Sequence, residues 1–198
     1  MILWINGAFG SGKTTTAFEL NRRLSDSFVY DPENVGYFIR RNTNGLFDKG
    51  DFQNIPLWRE MNYKILKMIA ENYNGTVIVP MTLVNPEYYG GIIERLISDG
   101  IEVKHYILYA ERAEIKRRIK KRTLPFSGKD SFALDAVDRC ADAFDNCIKD
   151  IKIYTDHISV DDVVNKIADL SRLKLSTDKK TRFGKFIYRA KIMLKHIR

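Results

Sequence analysis

The chain has 198 residues, of which 44% are hydrophobic and 29% are charged. Its length suits one ordinary domain, and eleven Phe, ten Tyr and two Trp can build a core, which excludes a chain that is disordered throughout. The net charge of +8 is local, because residues 174–198 hold nine Lys and Arg against one acidic residue, whereas the charges of residues 1–173 balance. We therefore expect a neutral domain over residues 1–173 and a basic segment over residues 174–198.

Cysteine usage and hydropathy bear on where the protein resides. Cys140 and Cys147 lie two helical turns apart with no His near them in sequence, which disfavours a zinc site and a disulfide framework. The first residues do not resemble a secretory signal, and no apolar run approaches the roughly 20 residues of a membrane span. We expect a cytoplasmic protein, free or held peripherally on the inner face of the cell membrane.

Strand-like and helix-like stretches alternate along the chain. Apolar runs predict five strands, at residues 1–5, 28–30, 76–81, 101–110 and 152–155. Apolar periodicity and capping residues predict helices at residues 13–24, 56–72, 111–122, 131–148 and 181–198, with further helix starts at residues 85–87 and 159–162. In the helix over residues 56–72, Met68 shares one apolar face with Met61, Ile65 and Ile69, and Gly90-Gly91 weakens the prediction of a helix after Pro86. This alternation is typical of an α/β fold in which helices cover both faces of a parallel sheet.

A glycine-rich phosphate loop follows the first strand. Residues 7–14 fit G-x-x-x-x-G-K-[ST] without a mismatch, between a buried strand and an amphipathic helix. Glycines let backbone N–H groups surround a phosphate chain, Lys13 can reach the β- and γ-phosphates, and the Thr14 hydroxyl can ligate Mg²⁺. We predict ATP and Mg²⁺ as cofactors. The predicted nucleotide-binding residues are Gly7, Ala8, Phe9, Gly10, Ser11, Gly12, Lys13, Thr14 and Thr15.

The residues that end the second and third strands favour a small-molecule kinase over a motor or switch ATPase. Motor and switch ATPases place an Asp after a later strand to hold Mg²⁺, but here the third strand ends in Pro80-Met81. Asp31, after the second strand, lies at the sheet edge that opens beside the phosphate loop. We predict that Asp31 is a catalytic base or holds Mg²⁺ through water, and the alternative is a simple Asp-Pro turn.

A strongly basic helix is predicted to close over the site. Residues 112–122 contain seven Lys and Arg, and a loop with Pro and Gly follows. Arg118 and Arg122 project to one side and are predicted to be catalytic, in a lid over about residues 112–139, with Arg139 contacting the acceptor. The alternative is a solvated helix face.

Aromatic and basic residues after the second strand suggest the acceptor. Arg40, Gln53, Trp58 and Arg59 are the predicted substrate contacts, since rings and arginines suit a ring-bearing acceptor such as a nucleoside or an amphiphile. The alternative is that most of these aromatic side chains belong to the core.

The basic segment predicts one amphipathic helix over residues 181–198. Apolar residues recur at helical period, and six Lys and Arg with no acid fill most of the rest. Such a helix suits an anionic membrane surface, and the alternative is a helix docked on the domain. We expect no nucleic-acid partner, because the neutral domain offers no extended basic groove.

Five segments of the chain carry a further resemblance: MILWINGAFGSGKT (1–14), YDPENVG (30–36), DFQNIPLWR (51–59), IVPMTLVNPEY (78–88) and Asp138-Arg139-Cys140. Together they resemble the tunicamycin resistance protein family of bacilli. The resemblance implies a P-loop kinase-like fold, related to nucleoside monophosphate, shikimate and chloramphenicol kinases, with sheet order 2-3-1-4-5. It also implies that residues 7–14 hold ATP, that Asp31 faces the acceptor and that Arg118 and Arg122 belong to a closing lid.

Two functions are compatible with this resemblance. The first is an ATP-dependent phosphotransferase that modifies tunicamycin or another nucleoside-like compound. The second is a non-catalytic protein that sequesters the drug at the membrane surface in an ATP-dependent way.

Overall fold

A parallel five-stranded sheet forms the centre of the protein in this computed structural model, which describes residues 1–47, 50–122 and 129–196. The strand order is β2-β3-β1-β4-β5, and every pairing is parallel. The strands are β1 (Ile2–Gly7), β2 (Ser27–Val29), β3 (Thr76–Pro80), β4 (Val103–Tyr109) and β5 (Ile151–Tyr154). The predicted α/β fold and sheet order are confirmed, with strand ends displaced by one or two residues.

Helices cover both faces of the sheet. They are α1 (Lys13–Arg23), α2 (Glu33–Asn42), α3 (Pro56–Asn72), α4 (Pro86–Tyr89), α5 (Arg95–Ser98), α6 (Arg112–Arg122), α7 (Lys129–Asn146), α8 (Val160–Ser171) and α9 (Arg182–His196). A π-helical turn, Gly90–Glu94, joins α4 to α5. Alternate residues of β1 serve opposite faces: Trp4 packs in the cluster that contains α3, and Leu3 packs in the cluster that contains α1 and α8. The fully buried β1 thus fixes the start of the glycine loop at the centre of the molecule.

Three local predictions differ from the structure. Periodicity placed Met68 on the buried face of α3, but its side chain is 58% exposed, and Trp58 and Leu66 are buried. Gly90-Gly91 does not end the helix that starts at Pro86, because these glycines form a π-helical turn and the helical backbone continues to Ser98. The helix predicted to start at Ser131 already begins at Lys129, and most of the predicted loop before it, residues 123–128, lies outside the described residues.

The C-terminal helix α9 docks on the domain through its polar side. Tyr188 and Arg189 contact α1, and Ile192 is buried. The first residues of the predicted apolar stripe face outward instead, with Phe183 71% exposed and Phe186 69% exposed. The sequence presented docking and membrane contact as alternatives; α9 docks on the domain and still exposes these apolar side chains.

Within the ranges described, none of the helices is both long enough and apolar enough to cross a bilayer.

Candidate active site

The glycine loop adopts a backbone that favours glycine at three positions, Gly7, Gly10 and Gly12. Gly12 has φ +98° and directly precedes α1, and no atom lies within 4 Å of where its Cβ would be. Gly7 has φ +145°, and a Cβ there would lie 2.6 Å from both the Leu108 carbonyl and the Ser11 hydroxyl. The loop therefore passes tightly over the end of β4 and leaves open space at the N-terminus of α1, where unpaired N–H groups attract anions.

The entry to the loop is held by a buried asparagine that sequence reasoning missed. Asn6 is completely buried, and its Oδ1 accepts hydrogen bonds from the Gly7 N–H (2.8 Å) and the Leu83 N–H (2.9 Å). Its Nδ2 donates to the Leu83 carbonyl (2.7 Å) and to Nε2 of His105 (3.1 Å). The Thr82 hydroxyl donates to the Gly7 carbonyl (2.8 Å). A polar residue ending an apolar strand was the only signal available in the sequence.

The same network fixes the tautomer of His105. Because the Asn6 amide donates to Nε2, the ring proton lies on Nδ1 and is donated to Asp150 over 2.6 Å. Tyr89 also donates to this carboxylate, over 2.7 Å. Burial acts to raise the pKa of Asp150, but the two hydrogen bonds outweigh it, so that the pKa is lowered. A chain of hydrogen bonds thus connects the phosphate loop to α4.

Two polar groups in the loop fit a bound phosphate chain. The Lys13 ammonium donates to the Ala8 carbonyl (3.0 Å) and lies 5.6 Å from the centre of the Phe9 ring, at the mouth of the loop. Among the described residues, the Ser11 hydroxyl is the buried polar side-chain group without a hydrogen-bond partner. Buried polar groups are normally satisfied, so a loop with an orphaned hydroxyl and a lysine folded back on it fits an anionic ligand.

The predicted metal ligand and the predicted base line one cavity. Thr14 and Asp31 face a space of about 50 Å³ at the carboxyl edge of the sheet. The remaining lining residues are Phe18, Val29, Glu33 and Pro80. Oδ1 of Asp31 accepts from the Glu33 N–H (3.0 Å), which orients the carboxylate. Glu33 is a second carboxylate that the sequence analysis missed, although its spacing from Asp31 was visible. Thr15 follows on the first turn of α1 and is half-buried.

The four predicted substrate contacts in α2, in the segment before α3 and at the start of α3 differ in their surroundings. Trp58 is completely buried and its indole N–H donates to the Pro32 carbonyl (3.0 Å), so it supports the Asp31 turn from beneath instead of contacting an acceptor. Arg40 donates to the carbonyls of Phe47 and Gly50, which ties the loop after α2. Trp58, which has no exposed surface, thus has a positioning role in place of the predicted substrate contact, whereas substrate contact by Arg40 stays a prediction.

Substrate contact by Gln53 and Arg59 also stays a prediction. Arg59 donates to the Gln53 carbonyl (2.7 Å) and to Glu87 (3.2 Å), and its guanidinium lies 4.6 Å from the centre of the Tyr88 ring. This arrangement keeps the arginine beside an aromatic side chain, where a ring-bearing ligand could also pack.

The basic helix α6 packs against the glycine loop. A Cβ on Gly10 would lie 3.1 Å from the Ile119 side chain and 3.6 Å from the Ile115 carbonyl, so the helix packs closely on the loop. Arg118 donates to Glu114 (2.7 Å), to the Thr155 hydroxyl (3.0 Å) and to the Thr155 carbonyl (2.7 Å), which holds it at the end of β5. Arg117 and Arg118 lower the pKa of Glu114 to about 2.

The other two predicted lid arginines lie further along the chain. The side chain of Arg122 lies outside the described part of the protein. Arg139 is exposed on α7, and its charge acts together with that of Lys13 on the buried Cys140 thiol, whose pKa burial nevertheless raises. Arg118 therefore lies on α6 and Arg139 on α7, the two helices next to the glycine loop.

This sheet order, with a glycine loop between the central strand and α1, defines a P-loop kinase-like fold. Residues 2–146 match the AAA domain family, and the chain belongs to that family. No match was found among curated proteins.

Solved structures with the same fold include a tunicamycin resistance protein from Deinococcus radiodurans. That structure is 26% identical, has a TM-score of 0.70, and the alignment covers 89% of this chain and 99% of the other. The match confirms the similarity that the sequence motifs indicated. A shikimate kinase from Bacteroides thetaiotaomicron is 21% identical, with a TM-score of 0.56 and coverage of 87% and 99%. An APS kinase from Mycobacterium tuberculosis is 20% identical, with a TM-score of 0.54 and coverage of 86% and 96%. The two kinases establish likeness of fold.

Proposed function

We propose that the protein is an ATP-dependent phosphotransferase that acts on tunicamycin or another nucleoside-like compound. The observation that carries this proposal is the cavity shared by Thr14 and Asp31, directly beside the glycine loop. A hydroxyl able to ligate a metal and a carboxylate able to accept a proton are the two groups that transfer to an alcohol requires. The similar protein from Deinococcus radiodurans supports the choice of tunicamycin as the first acceptor to test.

Each residue has a definite role in this reaction. Mg-ATP, when bound, supplies the phosphoryl group that is transferred. Lys13 exchanges its bond to the Ala8 carbonyl for phosphate oxygens, the loop N–H groups bind the same oxygens, and Thr14 ligates Mg²⁺. Asp31 takes the proton of the acceptor hydroxyl. The hydroxyl oxygen forms a bond to the γ-phosphorus of ATP, the bond between that phosphorus and the ADP oxygen breaks, and ADP leaves. Arg118 on α6 and Arg139 on α7 are the candidates that would bring positive charge toward the transferred group when the lid closes.

Mass spectrometry tests the transfer directly. Tunicamycin incubated with the protein and Mg-ATP is expected to gain the mass of one phosphoryl group, and the Lys13→Ala variant is expected to produce no gain. Asp31→Asn is expected to lose transfer while its affinity for ATP is kept, because the lost group handles a proton and does not hold the nucleotide. Asp169→Asn, an exposed change of the same kind on α8, serves as the control. If Asp31→Asn transferred the phosphoryl group as well as the wild type, Asp31 would not be the catalytic base.

A second candidate function, sequestration at an anionic membrane surface, is favoured by α9. Its exposed Phe183, Phe186 and Ile187 form an apolar face, and Lys191 on the same helix is exposed beside it. Apolar insertion combined with cations, each worth about 1 kcal/mol near an anionic bilayer, would hold the protein peripherally. In this case cells that carry Asp31→Asn would still resist the drug.

Co-sedimentation with vesicles tests this membrane contact. The protein is expected to bind vesicles that contain phosphatidylglycerol and to bind pure phosphatidylcholine weakly. The double variant Phe183→Ser, Phe186→Ser is expected to lose most of the binding. Leu170→Ser, which changes an exposed apolar residue of α8, is the matched control and is expected to bind like the wild type. Equal binding by the double variant and the control would refute the membrane contact.

A further inference from the structure

Six charged side chains form a network where α9 meets α1 and α8, and we call this network the ionic seam. Its members are Glu19, Arg22, Asp161, Asp178, Lys185 and Arg189. Three carboxylates alternate with three cations at distances of 2.6–3.0 Å. The seam therefore joins α1, α8, the segment before α9 and α9 itself without excess charge.

Glu19 is the completely buried member of the seam, and one of its two partners lies on α9. Its side chain is completely buried, and it accepts hydrogen bonds from Arg22 (2.6 and 2.9 Å) and from Arg189 (2.8 Å). A buried carboxylate that loses one of its partners is strongly destabilised. Arg189 also reaches Asp161 on α8 (2.7 Å), so the guanidinium bridges two helices. Correct packing of α1 therefore depends on a residue that lies 170 positions later in the chain.

The residue next to Glu19 connects the seam to the candidate active site. The Tyr188 hydroxyl donates to the Phe18 carbonyl (3.2 Å), and the Phe18 side chain lines the cavity shared by Thr14 and Asp31. The Arg22 guanidinium lies 5.7 Å from the centre of the Tyr188 ring and adds a cation–π contact. One turn of α1 thus presents Phe18 to the site and Glu19 to α9.

We propose that α9 is a positioning element of the active site, which acts through the turn of α1 that carries Phe18 and Glu19. Tyr188 and Arg189 are its positioning residues, and neither touches the reacting groups. This inference rests on the proposed function, because it concerns the binding of nucleotide and acceptor in the cavity. Coupling between two sites is reciprocal, so a bound nucleotide also tightens the docking of α9.

Isothermal titration tests the first direction of the coupling. Arg189→Gln is expected to weaken the binding of Mg-ATP by about fivefold or more, the lower end of usual coupling between sites. Arg182→Gln removes the same charge from an exposed position at the start of α9 and is expected to bind like the wild type. Tyr188→Phe removes one hydroxyl and leaves the seam intact, so it tests the connection to Phe18 even if Arg189→Gln folds poorly. It is expected to raise KM for the acceptor with little change in kcat.

Hydrogen exchange tests the reverse direction and separates positioning from simple stabilisation. Mg-ATP is expected to slow amide exchange in α9 of the wild type and to leave exchange there unchanged in Arg189→Gln. In a helix that only stabilises the domain, nucleotide would slow the amides that exchange through global unfolding and leave unchanged those that exchange through local opening of α9.

The two proposals fail in different ways. Wild-type protein that binds no ATP would refute the proposed function, and this inference with it. Wild-type transfer together with unaltered ATP affinity in Arg189→Gln and unaltered KM in Tyr188→Phe would refute the inference alone. Exchange of α9 that is insensitive to Mg-ATP in the wild type would refute it as well.

Discussion

The Asn6 side chain stabilises the start of the glycine loop through four hydrogen bonds. Replacing it with Ala leaves the N–H groups of Gly7 and Leu83, the Leu83 carbonyl and Nε2 of His105 without their partner. Each buried group left unsatisfied costs about 1–3 kcal/mol, so we expect Asn6→Ala to lower the free energy of unfolding by about 3 kcal/mol or more. Urea denaturation at equilibrium measures this. Asn72→Ala, which removes an exposed amide bonded to the Met68 carbonyl, is the control and should cost far less.

Gly36 is the point where α2 meets the aromatic side chains below the acceptor region. Its backbone would accept any residue, but a Cβ there would lie 2.6 Å from the Phe52 ring, which packs on Trp58 with centroids 5.5 Å apart. Overpacking of this kind costs about 1–3 kcal/mol, and we expect Gly36→Ala to be destabilised by this amount. In Gly91→Ala the added methyl meets no atom within 4 Å, and this variant is expected to be neutral or slightly stabilised. Thermal unfolding of the two variants should therefore differ, and equal melting temperatures would contradict the packing argument.

Sequence predicted some of these residues and missed others for a physical reason. The glycine loop, Lys13 and Thr14 were visible because their roles depend on neighbours within eight positions. Asn6 acts through Leu83, 77 positions away, and such a contact leaves no local pattern. Trp58 was predicted to contact substrate because composition cannot distinguish a ring in the core from a ring in a cleft.

The start of α8 shows that two residues close in sequence can determine where a helix begins. Ser159 and Asp162 form the predicted capping box, in which each side chain accepts from the backbone of the other residue. Loss of an N-cap hydroxyl costs about 1 kcal/mol, and we expect Ser159→Ala to be destabilised by this amount in urea denaturation. Ser98→Ala removes an exposed hydroxyl near the end of α5 and should change stability by less than about 0.5 kcal/mol. The capping argument would be wrong if both serine variants were equally stable.

The orientation of helices was harder to predict than their positions. The bounds of α3 were predicted correctly, because Pro56 marks its start, yet Met68 proved exposed. For α9 the apolar stripe was identified correctly, but the opposite side, with Tyr188 and Arg189, faces the domain. Periodicity shows which residues share a face, whereas the charges of α1 and α8 decide which face docks.

The molecule as a whole should respond to acid through the ionic seam. Arg22 and, to a lesser extent, Lys185 hold the pKa of Asp178 well below its usual range. A carboxyl with a lowered pKa stabilises the folded state above its unfolded pKa of about 4, and the stabilisation is lost as pH falls through the folded pKa. We expect α9 to stay docked from pH 8 to about 5 and to loosen below about pH 4.

Hydrogen exchange of α9 across this range measures the effect. Asp178→Asn should exchange faster than the wild type at neutral pH and depend less on acid. Protection of α9 that is equal in both proteins at every pH would contradict the role of Asp178.

The distance in sequence between Glu19 and Arg189 also has a consequence for biosynthesis. The helix that follows the glycine loop leaves the ribosome early, yet its buried carboxylate has no partner on α9 until 170 further residues have been added. At about 5–20 residues per second, this interval is roughly 10–30 seconds. During translation, the Glu19 carboxylate of α1 therefore lacks its Arg189 partner for this interval. Chaperones that recognise unfinished chains can bind α1 during the same time. A premature stop before residue 189 would leave the phosphate loop attached to a helix that never completes its packing.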